Sequence, residues 1–173
     1  MEWLYDDKPS TDEVLQGWAK ILTNASRYLW LRGSYATAQE IATKALVARE
    51  SVLGLDDPLT LTSVSNLALV LRYQGKYGEA EKLNRRALEG REKELGVQHP
   101  HTLTSVYCLV YLLHKRRRYE EAAKLYQRAC NGYQQRLRPQ HPTAVACLKH
   151  FTAMQQEADR ERPGIQGRWL TFN

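Results

Sequence analysis

Two consecutive stretches of this chain are copies of one another, and that repetition decides what it can fold into. Aligned without gaps, residues 58–99 and residues 100–141 are identical at 19 of 42 positions, against roughly two or three for unrelated sequences of ordinary composition. A fixed period of this size marks a stacked array, in which each copy buries its apolar face only against its neighbours. A more divergent copy precedes them. Shifted by 42, Asn24 meets Asn66, Gly33 meets Gly75, Tyr35 meets Tyr77, Ala38 meets Ala80, Ala45 meets Ala87 and Leu53 meets Leu95.

Each copy reads as a helical hairpin. In the central one Asp57 is placed as N-cap and Pro58 as first helical residue. Leu61, Val64, Leu67, Ala68 and Leu71 then recur at helical spacing until Gly75. From Tyr77 the stripe continues as Ala80, Leu83, Ala87, Leu88 and Leu95. Glu81/Arg85 and Glu89/Lys93 are i,i+4 pairs, and Gly96 closes the helix. In the first copy, Ser10–Glu13 reads as a capping box for a helix from near Thr11 to Arg32. Gly33 ends it, and a second helix runs from about Tyr35 to Leu53, with Ala38, Ile41, Ala42, Ala45, Leu46 and Leu53 on one face. The third copy predicts helices over 100–115 and 119–137. Its turn, Arg116–Arg118, has lost the glycine. A side chain at positive φ costs on the order of 1 kcal/mol, so a looser turn is expected there. Pro142 starts a seventh helix, with Val145, Leu148, Phe151 and Met154 as its stripe, ending near Arg160. The expected fold is all-α: a right-handed α-solenoid of three antiparallel hairpins plus a C-terminal capping helix. The divisions are an arm (1–10), repeats at 11–54, 55–96 and 97–138, the capping helix (142–160) and a tail (161–173). Trp3, Leu4 and Tyr5 in the arm and Trp169, Leu170 and Phe172 in the tail are apolar residues outside the array.

Bulk properties exclude several classes. Lys and Arg number 25 against 19 Asp and Glu, a net charge of +6. This mild excess favours acidic partners without arguing for nucleic acid. No run of about eighteen apolar residues is present, so no membrane insertion is expected. Three cysteines, Cys108, Cys130 and Cys147, form no CxxC pair, which points to a reducing, cytoplasmic setting. No H-E-x-x-H, G-x-S-x-G or G-x-x-x-x-G-K-[ST] run occurs. His99 and His141 each precede a proline, 42 residues apart, and read as structural corner residues. His101, His114 and His150 have no metal-ligand spacing. Cys130 and Cys147 read as small buried residues. Neither catalysis nor a cofactor or metal is expected.

The recurring residues resemble the tetratricopeptide pattern. Leu67–Ala68 is the large–small pair of the first helix, Gly75–Lys76–Tyr77 the turn, and Ala80 and Ala87 the small positions where helices approach closely. The 42-residue period, Asn66–Leu67–Ala68, Gly75–Lys76–Tyr77 followed by Glu79–Ala80–Glu81, and Leu95–Gly96 followed by His99–Pro100 resemble the long repeats of kinesin light chains. They also resemble the C-terminal repeats of fungal NB-ARC proteins, whose first repeat the run Tyr28–Gly33 resembles. The third copy departs from the pattern at Cys108, Val110 and Arg117. The resemblance implies either a free-standing repeat protein or a piece of a longer one.

In such an array the first helix of each hairpin lines the concave side. The register then places Lys20, Thr23, Asn24, Arg27 and Trp30, then Thr62, Ser65, Asn66, Leu69, Arg72 and Tyr73, on that side. Tyr107, Tyr111, His114 and Lys115 follow, then Lys149 and His150. This set holds no Asp or Glu. Asn24 and Asn66 can hydrogen-bond an extended backbone, the cations can pair with carboxylates, and the aromatics can receive an apolar anchor. The expectation is a non-catalytic groove for a short acidic peptide with a bulky apolar residue, and the kinesin-light-chain resemblance implies the same. Three alternatives stay open: a sensor or oligomerisation segment of an NB-ARC switch protein, a homo-oligomer through the array ends, and a nucleic-acid-binding helical repeat. Against the last, stacking aromatics should recur once per repeat, yet the Tyr73 column reads Leu31, Tyr73, Lys115. The basic cluster Lys115–Arg118 lies at a hairpin tip, outside the groove.

Overall fold

The computed structural model describes residues 11–138 and 140–161. Ser10 and the apolar residues of the arm and tail lie outside them. The described residues are all-α, with no strand. The helices are α1 (Asp12–Leu31), α2 (Tyr35–Leu53), α3 (Pro58–Tyr73), α4 (Tyr77–Leu95), α5 (Pro100–Lys115), α6 (Tyr119–Arg136) and α7 (Pro142–Glu161). The chain divides into two compact units, Met1–Glu94 and Leu95–Asn173. Within each, short turns join helices that pack on one another, which makes neighbours antiparallel.

The helix starts repeat with the register. Asp57 Oδ1 accepts the Leu59 N–H at 2.8 Å. His99 Nδ1 accepts the His101 N–H at 3.2 Å, and His141 Nδ1 accepts the Thr143 N–H at 3.2 Å. The two histidines are therefore N-caps for helices that open on proline. The capping box expected on α1 rests on Ser10, outside the described residues; Thr11 stands at the N-cap, and its side chain makes no cap hydrogen bond.

The helix ends repeat as well. Gly33 (φ 78°) donates to the Trp30 carbonyl, and Ser34 to the Leu29 carbonyl. Gly75 (φ 77°) and Lys76 bond the Arg72 and Leu71 carbonyls in the same way. The turn after α5 does not loosen. Arg117 takes φ 58° and donates to the His114 carbonyl at 2.9 Å, while Arg118 donates to Leu113 at 2.9 Å. Two carbonyls at the end of a packed helix find partners this way, and that outweighs a backbone strain of about 1 kcal/mol.

Close approach between the two helices of a hairpin sets the core. A Cβ at Gly90 on α4 would stand 2.8 Å from Leu61 of α3, and one at Gly132 on α6 would stand 2.6 Å from Leu103 of α5. Leu61 and Leu103 are each 1% exposed. The equivalent positions in the first hairpin are Ala19 and Ala48, which share a buried cluster with Leu15. A second cluster joins Leu22, Ile41 and Ala45, with Trp18 and Leu29 against it. On α7 the buried face is Ala144, Cys147, Phe151, Met154 and Ala158. Val145, expected on the stripe, is exposed, because it lies about 120° around the helix from Phe151. Glu81 and Arg85 pair at 2.9 Å as expected. Lys93 turns instead to Asp56, at 3.1 Å, in the loop before α3.

Replacing Arg117 with glycine removes the positive-φ strain and forfeits only a solvent-exposed ion pair to Glu161 at 3.3 Å. Arg117→Gly is expected to stabilise the protein by about 0.5–1 kcal/mol, a rise of ~2 °C in melting temperature. Thermal denaturation followed by circular dichroism checks this.

Candidate functional site

In the first unit α1 and α3 stand beside one another, with α2 packed against both. Arg49 of α2 holds this arrangement from beneath. It is 7% exposed, and its Nη1 donates to the Leu59 carbonyl at 2.9 Å and to Ser63 Oγ at 2.7 Å. Burial lowers its pKa, and the Asp57 carboxylate counters that in part. An arginine remains charged under such conditions, so this cation is spent on the framework.

An aromatic corner closes one end of the α1–α3 face. Trp30 meets Tyr73 edge-to-face at 5.2 Å between centroids. Tyr35, the first residue of α2, stacks on Tyr73 at 5.7 Å. The Arg72 guanidinium lies 4.8 Å from the centre of the same ring, a cation–π geometry. Gln74 Nε2 donates to the Tyr35 carbonyl at 2.8 Å, fixing the corner from behind. Tyr73 is 46% exposed and offers ring area to solvent. Trp30 Nε1 is buried and has no acceptor among the described residues.

Along the face from this corner, Arg27 and Asn24 are exposed, and Asn66 and Leu69 are half-buried. Lys20 sits at the far end. It lines an open pocket with Glu13, Gln16, Gly17, Arg49, Leu53 and Leu59, so a carboxylate does reach this end of the face. Three hydroxyls placed on the face bond the backbone of their own helix. Thr23 and Ser65 donate to the Ala19 and Leu61 carbonyls, and Thr62 to Pro58. Tyr35 and Gln74 were not among the candidate residues. The recurring Gly-x-Tyr turn, Gly33/Tyr35 and Gly75/Tyr77, was the available signal for Tyr35.

In the second unit the corresponding residues are engaged with each other. Tyr107 of α5 is hydrogen-bonded through its phenol oxygen to His150 Nδ1 of α7, and the two rings stack. His114 Nε2 bonds Glu157 at 2.9 Å, and that contact lowers the Glu157 pKa. Lys115 lies 5.8 Å from the Tyr111 ring, and Lys149 is exposed. Burial pushes the Tyr107 phenol up to about 12, and burial also raises Tyr126 and Tyr133. Among the described residues no group of three His, Cys, Asp or Glu could hold a metal ion, and no helix is long and apolar enough to cross a membrane.

A family model described as tetratricopeptide repeat matches residues 19–93 and again residues 61–135. Two crystal structures of a Podosopora anserina protein described as a kinesin light chain with nearly identical TPR-like repeats are similar to this chain. One aligns with TM-score 0.76 at 22% identity, over 82% of this chain and 68% of that one. A variant of it aligns with TM-score 0.75 at 21% identity over the same shares. BtubC (BKLC) from P. vanneervenii aligns with TM-score 0.69 at 18% identity, over 99% of this chain and 74% of that one. At these identities the likeness is one of fold. No curated protein matches the sequence.

The half-buried Tyr107 phenol makes a pH prediction. The folded state holds Tyr107 neutral to about 12, whereas an unfolded chain ionises its tyrosines near 10. The unfolded state therefore releases its protons first. Stability from Tyr107 is complete below pH ~10 and is lost as pH rises towards 12. Melting temperatures measured between pH 9 and 12 should fall less steeply for Tyr107→Phe than for the unaltered protein.

Proposed function

The chain belongs to the tetratricopeptide repeat family, and on that premise we propose that the α1–α3 face binds a short acidic peptide with a bulky apolar anchor. The family's repeats are non-catalytic scaffolds, and this chain is a repeat module for protein–protein interaction. One observation carries the finer proposal: a half-exposed Tyr73, backed by Trp30 and Tyr35, with Arg72 against its ring. A rigid aromatic platform beside a cation suits an apolar side chain flanked by carboxylates. Asn24, Arg27 and Asn66 continue the surface with amide and guanidinium groups that pair with a peptide backbone and its acidic residues. Trp30 Nε1, lacking an acceptor, would gain one from a ligand carbonyl after a small side-chain shift. The solved neighbours described as a kinesin light chain support a role of the same kind. In the second unit the phenol oxygen of Tyr107 is already engaged by His150.

The alternative is self-association, and a different surface favours it. On α1, Val14, Ile21 and Tyr28 are 57%, 67% and 60% exposed and recur every seven residues. Their equivalents on α3 at the last two positions, Ser63 and Val70, are each 2% exposed, and Ser63 is held by Arg49 of α2. This face of a hairpin's first helix thus receives α2 in the central repeat and presents bare apolar side chains on α1. Such a stripe suits a sensor or oligomerisation segment of a larger switch protein, as the Tyr28–Gly33 likeness to NB-ARC proteins suggested.

Two measurements separate these roles. Joint alanine substitution of Arg27, Asn66 and Arg72 is expected to weaken binding of an acidic-apolar peptide at least tenfold with the helical circular dichroism unchanged. Unaltered affinity in that variant removes the proposal. The salt dependence should be shallow, since a nucleic-acid backbone would impose a steep one. For self-association, light scattering should give a mass above one chain that Ile21→Glu returns to a monomer. A monomer at all concentrations before substitution dismisses the alternative.

A further inference from the structure

We propose that Cys130 and Cys147 are a disulfide-forming pair, in which a two-electron oxidant of the peroxide class closes a covalent bond that ties α7 to α6. Nothing in the peptide-binding role requires it.

The geometry carries the proposal. The two thiols face one another across the α6–α7 contact with their sulfurs 2.9 Å apart, within about 1 Å of a disulfide bond length. They are 1% and 0% exposed. Ordinary packing brings small side chains together, but two sulfurs this close on facing helices need little backbone movement to bond. Around them lie aromatic side chains: Tyr126 stacks on Phe151 at 5.3 Å, and Tyr107 meets Tyr126 edge-to-face at 6.3 Å. A hydrogen bond joins the two thiols, and either sulfur can donate it. Contact with Cys147 lowers the Cys130 pKa against the effect of burial, which suits Cys130 as the attacking thiolate.

The step balances. The Cys130 thiolate attacks one peroxide oxygen, the O–O bond breaks, and a proton completes the departing water, leaving a sulfenic acid. Cys147 sulfur then attacks the Cys130 sulfur, the S–O bond breaks, and the second oxygen leaves as water with the Cys147 proton. Overall two thiols are oxidised and one peroxide is reduced to two waters. Because both sulfurs are buried, the oxidant enters when α7 opens away from α6. Once formed, the bond holds in place the helix that carries His150 and Glu157, the partners of Tyr107 and His114 on α5.

The test exposes the folded protein to hydrogen peroxide, then counts thiols and maps peptides without reduction. The expected result is a fall from three reactive thiols to one, with Cys130 and Cys147 in a single cross-linked peptide. The melting temperature should rise by several degrees and return on treatment with dithiothreitol. Cys108→Ser should behave as the unaltered protein, and Cys147→Ala should show neither the cross-link nor the shift. Three surviving thiols, a cross-link through Cys108, or oxygen added to sulfur without a disulfide would each overturn the proposal. The thiol count and peptide map on unaltered protein decide the matter even if the Cys147 variant does not fold.

Discussion

Helix contact without an intervening side chain governs each unit. Gly90 lets α4 lie against Leu61, and Gly132 lets α6 lie against Leu103, at distances where a single added carbon would collide. A leucine fully withdrawn from water contributes about 1.5–3 kcal/mol, and here it fills the space that the missing side chain leaves. The first hairpin solves the same problem with Ala19 and Ala48. Either a large residue meets none, or two small residues meet. Both solutions keep the helices close enough for the remaining apolar positions to interlock.

Polar contacts then fix the loops around that contact, and they recur with the repeat. Arg86 of α4 donates to the Leu55 carbonyl at 3.2 Å, and Arg128 of α6 donates to the Val97 carbonyl at 3.2 Å, 42 residues further on. Each binds the loop that precedes the first helix of its own hairpin. Asp57, His99 and His141 cap the helices that follow such loops. Backbone groups at helix ends lack helical partners, so a stacked design must supply them at every corner. That need accounts for histidines which, by spacing alone, resemble functional residues.

With the framework satisfied in this way, the surplus chemistry lies on the exposed faces. In the first unit an aromatic corner, two asparagines and the Arg27 side chain stay accessible, whereas Arg49 and the hydroxyls bonded to their own helix serve the fold. In the second unit Tyr107 and His114 of α5 are taken up by His150 and Glu157 of α7. Lost pattern residues at Cys108 and Arg117 thus coincide with a unit that uses its first-helix side chains on itself.

Helix number, turn positions and the apolar stripes of α2 and α3 were legible in the sequence, because a 42-residue period and glycine punctuation report backbone geometry directly. That Asn24, Arg27 and Tyr73 lie off the buried stripes was legible from register. Other features were settled by tertiary structure alone. The strained Arg117 turn persists because α5 has carbonyls to satisfy, a demand invisible in a local propensity. Val145 turns outward because α6 meets α7 along Phe151 and Met154. Tyr35 joins Tyr73, Tyr107 pairs with His150, and Cys130 meets Cys147 because each pair is contributed by different helices. Sequence periodicity determines which side of its own helix a residue occupies; which residue faces it from the neighbouring helix depends on how the helices pack.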